Sequence, residues 1–164
     1  MYQIGEYIVD NSNGICRVED IVCPDFVTDK TKRYYLLIPI KEAVSKVYVP
    51  IENAENRFRK ILTEEEINVL LSQLKDIESI WVTNDREREQ IYKEAVRSSD
   101  PKQLIGIIKT LYFRREKRTN EGKKSTVVDE RYFKQAENNL YSEIGFVLNL
   151  NNTEVENLIK EKIE

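Results

Sequence analysis

Trp81 is the only tryptophan of the 164-residue chain, and Arg86 and Arg88 follow it closely. An indole has two uses in such a setting. Its large apolar area can anchor a junction between helices, or its flat ring can stack on or wedge between nucleic-acid bases. Guanidinium groups nearby add the means to neutralise phosphates, or else they pair with Asp85, Glu87 and Glu89 along their own helix. A second group of the same character is Arg114, Arg115, Lys117, Arg118, Lys123 and Lys124, six cations interrupted only by Glu116 and Glu121 as acids. Such a cluster suits a phosphate backbone and supplies salt-dependent, sequence-independent affinity. Its plainer role is a solvated helix end, since the C-terminal end of the macrodipole favours cations.

Other chemistries lack their parts. Histidine is absent, which removes the commonest general base and zinc ligand together. Cys16 and Cys23 are the only cysteines, too few for a four-thiolate site, and read as reduced, half-buried thiols. The five glycines form no phosphate-binding fingerprint. The carboxylates fall on solvated helix faces, so no acid–base pair is nominated. The expectation is a protein that is no enzyme and uses no cofactor or metal. Without an apolar run near the roughly 20 residues of a membrane span, or a signal peptide at Met1–Glu6, it is expected in the cytoplasm.

Charge is segregated along the chain. The net charge is −3, yet residues 81–124 carry 12 basic and 7 acidic side chains, net +5, while residues 61–80 and 125–164 are each net −4. A basic middle in an acidic chain points to a local anionic partner.

The elements that hold these residues change character near position 60. Tyr7-Ile8-Val9, Ile15 to Cys23, Tyr34 to Ile38 and Lys46 to Pro50 read as short strands separated by turns at Asp10–Gly14, Pro24-Asp25 and Thr28–Lys30. Four or five such strands suggest a small Tudor- or SH3-like barrel with an edge open to strand addition. Beyond it the period is helical. Thr63-Glu64-Glu65-Glu66 is a capping box ahead of Ile67, Leu70, Leu71 and Leu74. Trp81 lies in a connection, and Thr83 or Asn84 can cap a helix from Asp85 to Arg97. Asp100-Pro101 opens the next helix, with Leu104, Ile107, Ile108, Leu111 and Tyr112 as its apolar face and Arg114–Arg118 as its end. A polar loop over 119–125 leads to a long helix to Leu148, and Asn151–Glu156 starts a last one. The fold class is α+β, with the β-module over residues 1–58 and a bundle of about five helices over 59–164.

The order of these features resembles the CarD/CdnL family of bacterial transcription regulators. The matching text is Ile4-Gly5-Glu6-Tyr7-Ile8-Val9, Gly14-Ile15, Tyr34-Tyr35-Leu36 and, most specifically, Val49-Pro50-Ile51-Glu52-Asn53-Ala54. In the helical part Ser99-Asp100, Leu104-Ile105, Ile107–Leu111 and Arg114-Arg115 match. The resemblance implies a Tudor-like domain, shared with transcription-repair coupling factors, that docks on the RNA polymerase β subunit. Phe26, Lys46 and Tyr48 are its candidate contacts. It further implies a helical domain that meets promoter DNA at the upstream edge of the melted bubble and stabilises the open complex. Trp81 would wedge into the minor groove, and Arg86, Arg88, Arg114, Arg115, Lys117, Arg118, Lys123 and Lys124 would meet phosphates. The protein would act as a monomer, associated with the nucleoid through polymerase.

The chain also departs from the family pattern. Asp10-Asn11 stands where Tyr-Pro is common. Tyr48 takes the place of one polymerase-contacting arginine, and none lies over Pro24–Phe26 in place of another. The family's wedge tryptophan aligns with Asp85, so Trp81 is four residues early. Two rival readings are a protein-only adaptor with solvated cations, and a hydrolase for which no mechanism is apparent.

Overall fold

Tyr34-Tyr35-Leu36-Leu37-Ile38 alternates outward and inward, as a strand with one buried face must. The computed structural model, which describes residues 1–80, 82 and 84–163, makes it the third strand of five. These are β1 (Tyr7–Asp10), β2 (Gly14–Val22), β3 (Tyr34–Pro39), β4 (Val47–Pro50) and β5 (Phe58–Lys60). They form one antiparallel sheet in the order β4-β3-β2-β1-β5. A bulge between Val18 and Asp20 bends β2, the longest strand. A 3-10 turn over Ile51–Asn53 and the one-turn helix α1 (Ala54–Arg57) carry the chain to β5. Ile8, Cys16, Val18, Tyr35, Leu37, Val49, Ala54 and Phe58 make the core.

Two compact units result, Met1–Ile61 and Leu62–Glu164. A boundary at residue 58 would cut through β5, a strand too short to show a period in the sequence.

Burial has a chemical consequence at Cys16. Its side chain is sealed in the core, and loss of hydration, reinforced by the nearby Asp10 carboxylate, pushes the thiol up to about 12. Thiolate is the reactive form. Alkylation of native protein near pH 8 is therefore expected at Cys23 alone, with Cys16 modified only after denaturation. Mass spectrometry of the labelled peptides reads the outcome directly.

The helical unit contains α2 (Glu64–Ser72), α3 (Asp85–Arg97), α4 (Pro101–Asn120), α5 (Val127–Leu148) and α6 (Asn152–Ile163). Their starts follow from side chains that satisfy otherwise unpaired N–H groups. The Thr63 hydroxyl accepts from the Glu66 amide while Glu66 accepts from the Thr63 amide, completing the capping box. Asn84 caps α3, Asp100 caps α4 ahead of Pro101, and Thr126 caps α5. Ile67, Leu71, Tyr92, Leu104, Ile107, Leu140 and Ile144 are among the residues of the central core. No helix among the described residues is long and apolar enough to cross a membrane.

Two details differ from the sequence expectation. Tyr112 lies 38% exposed instead of on the buried face, because α4 turns the Leu104–Leu111 stripe to the core and the next position faces outward. The α4 helix also continues through Thr119 and Asn120 before its polar loop. The α5–α6 corner depends on one glycine. Asn149 takes a left-handed φ of 57°, and the Leu150 amide donates to the Gly145 carbonyl at 2.9 Å. A Cβ at position 145 would stand 2.7 Å from the Leu150 oxygen, so only glycine admits this return of the chain.

Candidate nucleic-acid interface

The first turns of α3 and α5 and the last turns of α4 meet at one end of the helical unit. Arg131 on α5 donates to Glu89 on α3 at 2.6 Å, and the Tyr132 hydroxyl reaches the same carboxylate at 3.3 Å. Below them the Tyr92 and Tyr132 rings pack with centroids 6.0 Å apart. Arg114, late in α4, donates to Asp129 in the first turn of α5 at 2.6 Å. The two basic groups read from the sequence, one near residue 86 and one over 114–124, are thus brought to the same end by packing.

Within that end the cations divide into two kinds. Arg88 donates to Asp85 at 2.9 and 3.1 Å and to the Tyr92 hydroxyl at 2.8 Å, and its side chain is only 18% exposed. The bond from Arg88, then its charge, holds the Asp85 carboxyl below the usual carboxylate range. Burial raises the Tyr92 hydroxyl's pKa, so this tyrosine stays neutral and can accept from the guanidinium. Arg114 is paired with Asp129, a buried carboxylate. Arg115 grips Glu130 with two bonds of 3.0 and 3.1 Å while its guanidinium lies 4.3 Å from the Phe133 ring centroid. Arg118 donates to the Lys124 carbonyl at 2.8 Å and so closes the loop, and Lys123 sits 3.8 Å from Glu121. Arg86, Lys117 and Lys124 are exposed, with no side-chain ion pair among the described residues.

The arrangement therefore has a structural inner layer of arginines and an outer layer of solvated cations. Composition does not reveal the difference, because the acids that bind Arg114 and Arg115 come from α5, across the loop. Trp81, the expected wedge, lies outside the described residues. The backbone just before it, Ile77 to Ile80, is described and is held by α4.

In the β-unit, Phe26 is 68% exposed and stands edge-on to two rings. Its centroid is 5.4 Å from that of Tyr48 and 6.3 Å from that of Tyr34. Register explains the meeting: Tyr34 pairs with Pro50 and Leu36 with Tyr48, so both tyrosines share the outward face. Sequence reasoning misses Tyr34, whose signal is its place beside the buried Tyr35 in the alternation. Lys46 is exposed just ahead of β4, which forms one edge of the sheet.

Among the described residues no group of histidine, cysteine or acidic side chains could hold a metal ion. A search of curated proteins gives no match. Two family models do match, in order: residues 2–62 the CarD-like/TRCF RID domain, and residues 69–160 the CarD C-terminal domain. The chain belongs to the CarD family, non-enzymatic transcription regulators that act on RNA polymerase.

Proposed function

We propose that this protein docks on the RNA polymerase β subunit through its β-unit and contacts promoter DNA near the upstream edge of the bubble through its helical unit, stabilising the open complex. The observation that carries the reading is that Arg86 in the first turn of α3, Lys117 in the last turn of α4 and Lys124 in the loop after it are exposed and without an ion pair among the described residues. Exposed cations with no acid to satisfy them are suited to phosphates. Trp81 precedes this end in sequence and is the wedge of the proposal, since an apolar ring inserted at an unstacked step stabilises distorted DNA.

On the β-unit, Phe26, Tyr48 and Lys46 form the docking surface beside the β4 edge. Aromatic side chains are enriched at protein contact sites, Lys46 adds a charge beside them, and the free edge permits strand addition. The protein acts as a monomer in the cytoplasm, held at the nucleoid by polymerase.

One observation favours a second reading, a protein-only adaptor: Arg88, Arg114 and Arg115 are already engaged within the fold. A promoter-melting assay separates the two. Trp81→Ala is expected to shorten the open-complex lifetime while polymerase binding is kept, and Phe26→Ala/Tyr48→Ala to abolish both. An unchanged lifetime for a folded Trp81→Ala protein would remove the wedge.

A further inference from the structure

A buried lysine is unusual, since loss of hydration disfavours its charge. Lys109, on α4, is 8% exposed, and its ammonium donates to the Ile77 carbonyl at 2.7 Å. One residue on, the Thr110 hydroxyl has three backbone neighbours. It accepts from the Ile80 amide at 2.8 Å and lies 3.2 Å from the Ile80 carbonyl and 2.7 Å from the Gly106 carbonyl. One turn earlier, the absent side chain of Gly106 leaves room for the same strand of backbone. A Cβ there would stand 3.2 Å from the Glu78 oxygen and 3.1 Å from Ile80 Cγ1. Successive turns of one helix thus hold the backbone from Ile77 to Ile80, a stretch with no helix or strand of its own.

We propose that Gly106, Lys109 and Thr110 are positioning residues: a clamp that fixes the chain at Ile80 and thereby sets where the segment leading into α3 meets its partner. The inference rests on the reading under Proposed function for its effect on DNA, though not for the clamp itself. The chemistry chosen supports a positioning role. An apolar side chain at 109 or 110 would fill the same space, but it could not hold a carbonyl and an amide in a fixed register. Hydrogen bonds to backbone groups fix both the depth and the rotation of the bound strand.

The test uses the full chain with Thr110→Val and Lys109→Met, which keep volume, and Thr110→Ser, which keeps the hydroxyl. Amide exchange at Ile80 and the fluorescence anisotropy of the single tryptophan report on the clamp without DNA. Open-complex lifetime with polymerase reports on its effect. Loss of one such bond is expected to speed Ile80 exchange and shorten the lifetime by about threefold to tenfold, with polymerase binding unchanged. Thr110→Ser should restore both. Unchanged Ile80 exchange in Thr110→Val would overturn the clamp. Faster exchange with an unchanged lifetime would overturn its positioning role, provided Trp81→Ala shortens that lifetime. If Trp81→Ala has no effect either, the DNA reading fails, and Ile80 exchange with anisotropy decides the clamp alone.

Discussion

Replacing Arg57 by alanine destabilises the β-unit by about 3–5 kcal/mol, the loss expected when one partner of a buried ion pair is removed. Asp10 is 1% exposed and ends β1 inside the fold. Its two oxygens accept from Arg57 at 3.0 and 2.8 Å, and one of them also from the side-chain Nδ2 of Asn13 at 2.6 Å. The Asn11 amide donates to the Arg57 carbonyl at 3.0 Å, so the same residue ties the β1–β2 turn by main chain and side chain. Without the guanidinium, a carboxylate stays buried with one neutral donor. Asp10→Ala is expected to be milder, because the stranded partner is then Arg57, whose side chain is 30% exposed and can turn to water. A unit of about 60 residues has a stability of roughly 3–9 kcal/mol in all. The Arg57 change therefore consumes most of it, and amide exchange in β1 and β5 should approach that of the unfolded chain while the helical unit keeps its protection. The double variant should lose less than the sum of the two, since the residues share one interaction. Equal losses for Asp10→Ala and Arg57→Ala would contradict the role given to the buried charge.

This pair also shows what the sequence could and could not disclose. Local signals are legible wherever a rule acts over a few residues: the Thr63–Glu66 box, Asp100 before Pro101, and the strand at Tyr34 to Ile38 all form where the residues place them. Asp10-Asn11 looked only like a departure from the Tyr-Pro common in the family. Its partner lies 47 positions away, and nothing local to either residue announces a buried pair. The same holds for the basic cluster. Helix-end chemistry explains why cations collect near Arg118, but Asp129 and Glu130 decide which of them are free, and those acids face α4 only once the loop over 121–126 has turned the chain back. Lys109 was hidden for a similar reason. A lysine inside an apolar stripe reads as an interruption until the carbonyl of Ile77 is seen to lie against it.

Because the cations form two layers, charge reversal should have two distinct outcomes. In Arg86→Glu/Lys117→Glu/Lys124→Glu the fold is expected to stay intact, since these side chains are exposed and hold no acid among the described residues. Each cation withdrawn from a phosphate lowers the salt slope of binding by about 0.9, worth roughly fivefold in affinity near physiological salt. Withdrawing all three should weaken the contribution of promoter DNA by about a hundredfold and flatten its salt dependence by about three units of slope. Arg114→Glu, by contrast, places a carboxylate against Asp129, which is buried and within 2.6 Å of the present guanidinium. That variant should unfold the α4–α5 junction and lose every activity at once, so it says nothing about DNA. The protein-only adaptor gives the opposite forecast for the triple reversal: polymerase-dependent regulation intact, with the salt slope unmoved. Measuring the lifetime of promoter complexes across a salt series, for the wild type and the triple variant, places the two readings on one axis. A slope that does not change would move the partner of this end of the molecule from nucleic acid to protein.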